Sequence, residues 1–166
     1  MEHGAQQDRR LVNVKRLTLY GFDLSNLFAP VLLMLDTEAL TYLTLWKCDA
    51  VHVFMHEFVR TSNASQLKLE NLAIRLDKNA PESIDGSLKG LFGMCSLLSL
   101  HLTWDNMLDG RPAATLADIS YLAPTLLFLS FYDGSIVDAM DHNIEYLGAH
   151  FGESLGVCSK LQQFGF

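Results

Sequence analysis

The sequence predicts an α/β repeat solenoid, with a parallel sheet of about six strands on the concave side and helices on the convex side. Three observations lead there. A short frame, LxxLxL, returns six times along 166 residues. Its LxL core has the period of a strand with one buried face. Between successive frames the apolar residues take up helical spacing.

The frame is clearest in LTYLTLWKC, where Leu40, Leu43 and Leu45 are followed by Cys48. It also fits Val14, Leu17 and Leu19; Ala64, Leu67 and Leu69; Leu97, Leu100 and Leu102; Leu126, Leu129 and Phe131; and Leu161, Phe164 and Phe166. The first residue of LxL then falls at 17, 43, 67, 100, 129 and 164, giving intervals of 26, 24, 33, 29 and 35. Each interval accommodates a strand, a turn, a helix and a return loop. Within the second interval Val51, Phe54, Met55 and Phe58 recur at i, i+3, i+4 and i+7, and Ile144, Leu147, Phe151 and Leu155 form a similar stripe in the fifth. Two turn-forming stretches interrupt the pattern. DKNAPESIDGS, from Asp77 to Ser87, is expected to lengthen the third return loop, and Trp104 to Pro112 the fourth.

Over residues 11–166 the chain resembles the leucine-rich repeat superfamily. Its stretches CSKLQQFGF (Cys158 to Phe166) and APTLLFLSF (Ala123 to Phe131) are similar to the cysteine-containing subtype, whose repeats often lie behind an F-box. The resemblance implies a non-catalytic protein-protein interaction module, and more narrowly the substrate-recognition part of an F-box-type ubiquitin ligase receptor. Residues 1–10 form a polar N-terminal segment, and 11–166 the leucine-rich repeat domain. With no polar capping helix after the last frame, the domain is expected to be part of a longer array, with uncapped ends open to self-association.

Composition narrows the class. Hydrophobic residues make up 49% of the chain, with thirty Leu and ten Phe, enough for one substantial core. The first sixteen residues lack the apolar run of a secretory leader. The longest apolar run, Leu27 to Leu35, contains Pro30 and is far short of a membrane span. A soluble intracellular protein, cytoplasmic or nuclear, with no membrane partner is expected. Net charge is −7, and residues 91–166 hold two basic residues against eight acids, which would repel nucleic acid. Arg9, Arg10, Lys15 and Arg16 read as a solvated terminus. Cys48, Cys95 and Cys158 lack the pairing of a zinc or redox motif, so buried reduced thiols are expected, with neither metal nor cofactor.

Motifs for chemistry are sparse. GESLG, Gly152 to Gly156, has the GxSxG form of a nucleophile elbow and makes a serine hydrolase using Ser154 the alternative function, but neither an acid nor a histidine follows it. His52 and His56 have i, i+4 spacing without the HExxH glutamate, and fall on the flank of the helix. Loops from Asp77 and from Asp105 miss the glycine or the final glutamate of a calcium loop. A shortened gene product without retained function is a third reading, from the irregular repeat lengths.

Function is instead expected on the outward positions of the strands. The residue after each LxL is Tyr20, Trp46, Glu70, Thr103 or Tyr132, and the residue inside it Thr18, Thr44, Lys68, His101 or Ser130. Trp104 and Asp133 lie one step beyond Thr103 and Tyr132. Strands about 4.8 Å apart spread Tyr20 to Tyr132 over about 19 Å, room for a peptide or a protein edge. The expected concave binding surface is therefore Tyr20, Trp46, Lys68, Glu70, His101, Thr103, Trp104, Tyr132 and Asp133, with aromatic anchors of the kind that dominate interfaces.

Overall fold

The computed structural model describes residues 11, 13–26, 28–62, 67–76, 83–104, 119–133 and 155–165. Six strands run β1 Arg16–Tyr20, β2 Tyr42–Trp46, β3 Asn71–Leu76, β4 Ser99–Trp104, β5 Phe128–Asp133 and β6 Gln163–Gly165. They form one sheet in sequence order, with every neighbouring pair parallel. Helices α1 Phe28–Met34, α2 Val51–Thr61 and α3 Ser83–Met94, and a 3-10 turn at Ile119–Leu122, occupy the connections. The fold is α/β.

The leucine alternation does what its period predicts. Leu43, Leu45, Leu100, Leu102 and Leu129 are almost wholly buried. They share one core with Leu32 of α1, with Val51, Phe54, Met55 and Phe58 of α2, with Ile84, Leu88, Leu91 and Phe92 of α3, and with Ile119 and Leu122. The described helices thus cover the leucine face of the sheet. In α2 the buried residues are the four at i, i+3, i+4 and i+7, and the Phe54 and Phe58 rings stack with centroids 6.1 Å apart. Burial of such side chains contributes roughly 1.5–3 kcal/mol each. Gly90 lets α3 approach α2 closely, since a Cβ there would stand 3.2 Å from Val59 Cγ1. Pro30 falls in the first turn of α1, where a missing N–H costs no helical hydrogen bond.

The third repeat departs from the expected frame. The stretch LKLENLAIRL, 67–76, offers overlapping LxL choices, and the strand uses the later one. Leu72 pairs with Leu43 and Leu100, and Ile74 with Leu45 and Leu102. Leu69 then takes the place of Leu40 and Leu97, and all three are buried. The earlier frame would have put the small Ala64 there. The repeat intervals become 26, 29, 28, 29 and 35, more even than the sequence frame suggested.

Backbone hydrogen bonds fix this register independently. The Lys15 carbonyl accepts the N–H of both Thr41 and Tyr42, and the Thr41 carbonyl those of Glu70 and Asn71. The carbonyls of Glu70, Leu98 and Leu127 repeat the contact with Leu98 and Ser99, Leu127 and Phe128, and Gln162 and Gln163, all at 2.8–3.2 Å. Glu70 is therefore the residue before β3, equivalent to Thr41 and Leu98.

A second correction concerns the expected return loop at 77–87. Its residues from Ser83 onward are the start of α3, where Ile84, Ser87 and Leu88 are buried. The apolar spacing of Ile84, Leu88, Leu91 and Phe92 prevails over the turn signal of Gly86. Ile144, Leu147 and Phe151, and the loop after Trp104, lie outside the described residues.

Left-handed backbone marks the turns after the first two strands. Gly21 has φ 69°, and Lys47, at the equivalent place one repeat on, φ 52°. Ala50, the N-cap of α2, has φ 53° and makes no side-chain cap. A β-carbon in this region costs roughly 1 kcal/mol, and alanine is a poor N-cap. Ala50→Gly is expected to raise stability by about 1 kcal/mol in denaturant unfolding. Conversely, Leu43→Asp or Leu100→Asp would bury an unpaired carboxylate and cost about 4 kcal/mol or more, a large part of a domain's stability. Loss of the cooperative thermal transition by circular dichroism is the expected readout.

Candidate binding face

The sheet face turned away from the leucines presents three rows across the strands. The first runs Arg16, Tyr42, Asn71, Ser99, Phe128 and Gln163 in backbone register. The second runs Thr18, Thr44, Ala73, His101, Ser130 and Gly165. In the third, Tyr20 pairs with Trp46, Arg75 with Thr103, and Thr103 with Tyr132. Arg75 also closes the gap to Trp46, its guanidinium carbon 5.8 Å from the ring centroid. Tyr20 is 59% exposed and Tyr132 50%, high values for aromatic side chains on strands.

Cations stand over several of these rings. The Arg16 guanidinium carbon lies 3.9 Å from the Tyr42 centroid, and Lys47 Nζ lies 5.8 Å from that of Tyr20. Such contacts are worth about 0.5–1 kcal/mol at exposed sites and hold flexible side chains against flat rings. Ser99, mostly buried, has its hydroxyl 3.0 Å from His101 Nε2, with His101 itself exposed. This contact joins neighbours on the same face of β4.

Of the nine positions expected to form the surface, Tyr20, Trp46, His101, Thr103 and Tyr132 lie on this face. Lys68 and Glu70 do not. Because β3 begins at Asn71, they sit ahead of it and line a hollow of about 350 Å³ with Thr41, Leu67, Leu69, Ser96 and Leu98. Trp104 and Asp133 pair with one another, and Trp104 with Leu76, in the alternation of the leucine positions. Two residues after Leu102 and Phe131, they take the backbone parity of the opposite face. Missed by the frame were Arg75, displaced by the register error, and the row of Arg16, Tyr42 and Phe128. Carrying the alternation one position upstream of LxL would have found that row.

No family model, curated protein or solved structure matches the chain. The candidate face is therefore defined by its own geometry.

Ser154 lies outside the described residues. His52 is half-buried and His56 exposed on the flank of α2, as their spacing beside the apolar stripe predicts. Among the described residues no cluster of three His, Cys, Asp or Glu side chains could hold a metal, and no helix is long and apolar enough to cross a membrane.

Cysteines serve the packing. Cys48 Sγ lies 3.4 Å from the Leu19 carbonyl and 3.5 Å from that of Trp46, tying the end of β2 to β1. Cys95 Sγ donates to the Leu91 carbonyl at 3.1 Å. Burial pushes the Cys95 thiol up to about 12, only partly opposed by a backbone hydrogen bond from Leu97, and burial also raises Cys158. Thiols held protonated are poor nucleophiles. Above pH 9 the unfolded chain loses the Cys95 proton while the folded chain keeps it, so stability contributed below that pH falls as pH rises toward 12. Chemical denaturation between pH 8 and 11 is expected to show this decline, and Cys95→Ala to lessen it, Cys158 contributing the same sign.

Proposed function

We propose that the chain is a solenoid of the leucine-rich repeat type whose open sheet face is concave and binds another protein without catalysis. The observation that carries this reading is the third row, in which Tyr20, Trp46 and Tyr132 are held in line on the sheet face left bare by the described helices. Aromatic rings fixed on strands bury large area at little entropic cost when a partner closes over them. Three successive intervals of 28 or 29 residues and the recurring shared carbonyl support stacked equivalent repeats, and a stack of this kind presents its sheet as one continuous binding surface. Following the repeat resemblance, the setting we propose is intracellular substrate recognition, of the kind performed by the repeat domains of F-box-type ubiquitin ligase receptors. Among the described residues no strand pairs the outer edge of β1 or of β6, and such edges offer a route to self-association.

The test is an affinity pull-down from source-cell lysate, comparing the native chain with a Tyr20→Ala, Trp46→Ala, Tyr132→Ala triple variant of matched circular dichroism and melting temperature. A partner retained by the native chain and lost by the variant is expected. Equal retention by both would move function off this face.

A further inference from the structure

We infer that the open face selects an extended acidic peptide segment, with carboxylates seated at the β1–β2 end and an apolar side chain at the β5 end. This rests on the proposed binding role of the face and names its partner's chemistry. The whole chain carries a net charge of −7, yet no carboxylate stands in any of the three rows. Arg16 opens the first row, and Lys47 stands one residue beyond Trp46 at the end of the third, so a cation stands at each margin of the β1–β2 end, with the exposed Asp23 and Asp49 outside the rows beyond Lys47. Each lies over an aromatic ring, Arg16 over Tyr42 and Lys47 over Tyr20. A ring face carries no formal charge, so the cation keeps its full unit charge for a carboxylate, while the contact restricts the side chain and lowers the entropic cost of closing on one. Lys47 keeps this position through a left-handed backbone, φ 52°, where Gly21 stands one repeat earlier.

At the other end the chemistry changes. Phe128 and Tyr132, 38% and 50% exposed, straddle Ser130 on β5, with no basic residue in that strand. The two ends are about 14–19 Å apart across three or four strand spacings, which an extended segment covers in about five or six residues. Single-stranded nucleic acid also stacks on aromatics, but three ring-bound cations, Arg16, Lys47 and Arg75, on a chain of net charge −7 offer little counterion release. A peptide with its acids grouped at one end fits the asymmetry better.

The experiment is selection of a displayed library of random linear 12-residue peptides on the immobilised full chain. Survivors are then tested against the Tyr20, Trp46, Tyr132 triple-alanine variant and against Arg16→Glu, Lys47→Glu, both checked for native melting. Enriched peptides are expected to carry paired Asp or Glu about five residues from an apolar residue. They should lose binding to both variants, by about tenfold or more to the charge reversal at low salt, and weaken as salt rises. Enriched peptides that are neutral or basic, depend on the three aromatics and ignore the charge reversal would overturn the acidic assignment and leave the face a binding site. Peptides indifferent to both variants, or no enrichment, would overturn both. Tighter aromatic-dependent capture of a single-stranded oligonucleotide at the same salt would replace the peptide as ligand.

Discussion

At each step between neighbouring strands one carbonyl, of Lys15, Thr41, Glu70, Leu98 or Leu127, accepts two successive N–H groups from the next repeat. That contact sets where each strand begins relative to the last, and in a parallel sheet of period two the starting residue decides which side chains face the core. Leu43, Leu72, Leu100 and Leu129 are in line because Thr41, Glu70, Leu98 and Leu127 are in line. A one-residue slip at any step would turn leucines outward and bring threonine, histidine or arginine in, at a cost comparable to the stability of the whole domain.

The same register builds the face opposite. Tyr20 and Trp46 are adjacent for the reason that Leu19 and Leu45 are, and Arg75 reaches Trp46 because Ile74 has joined Leu45 in the core. Core and candidate surface are two sides of one alignment. Substitutions on the exposed rows can therefore change the candidate surface while the leucine rows keep the scaffold. The face is sparsely basic and rich in aromatics on a chain that is acidic overall, a contrast that gives it electrostatic direction as well as shape.

The sheet was legible in the sequence because LxL alternation and the spacing of Val51, Phe54, Met55 and Phe58 are properties of period, and burial enforces period. Strand order and the α2 core stripe followed directly. The third strand was harder to read because 67–76 is apolar at 67, 69, 72, 74 and 76, so alternation alone fits more than one start. The choice is made by the tertiary contacts of Leu69 and by the Thr41 carbonyl, neither of which is local. The earlier start places Lys68 and Glu70 on the face and hides Arg75, whereas the observed register does the opposite. The helical start at Ser83 was masked by a turn signal, Gly86 within SIDGS, that packing outweighed. The cations over Tyr20 and Tyr42 were unreadable, since they depend on how side chains from adjacent repeats meet.

The register of β3 is the claim on which core and face both stand, and engineered cross-linking tests it most directly. Neighbouring parallel strands place register partners at a Cα separation that suits a disulfide. Thr44 and Ala73 are such partners. A Thr44→Cys, Ala73→Cys chain should form that cross-link on mild oxidation, identified by peptide mapping, with its melting transition preserved or raised. A Thr44→Cys, Lys68→Cys chain should form no such bond while folded. The reverse outcome, bonding at Lys68 and none at Ala73, would contradict the account.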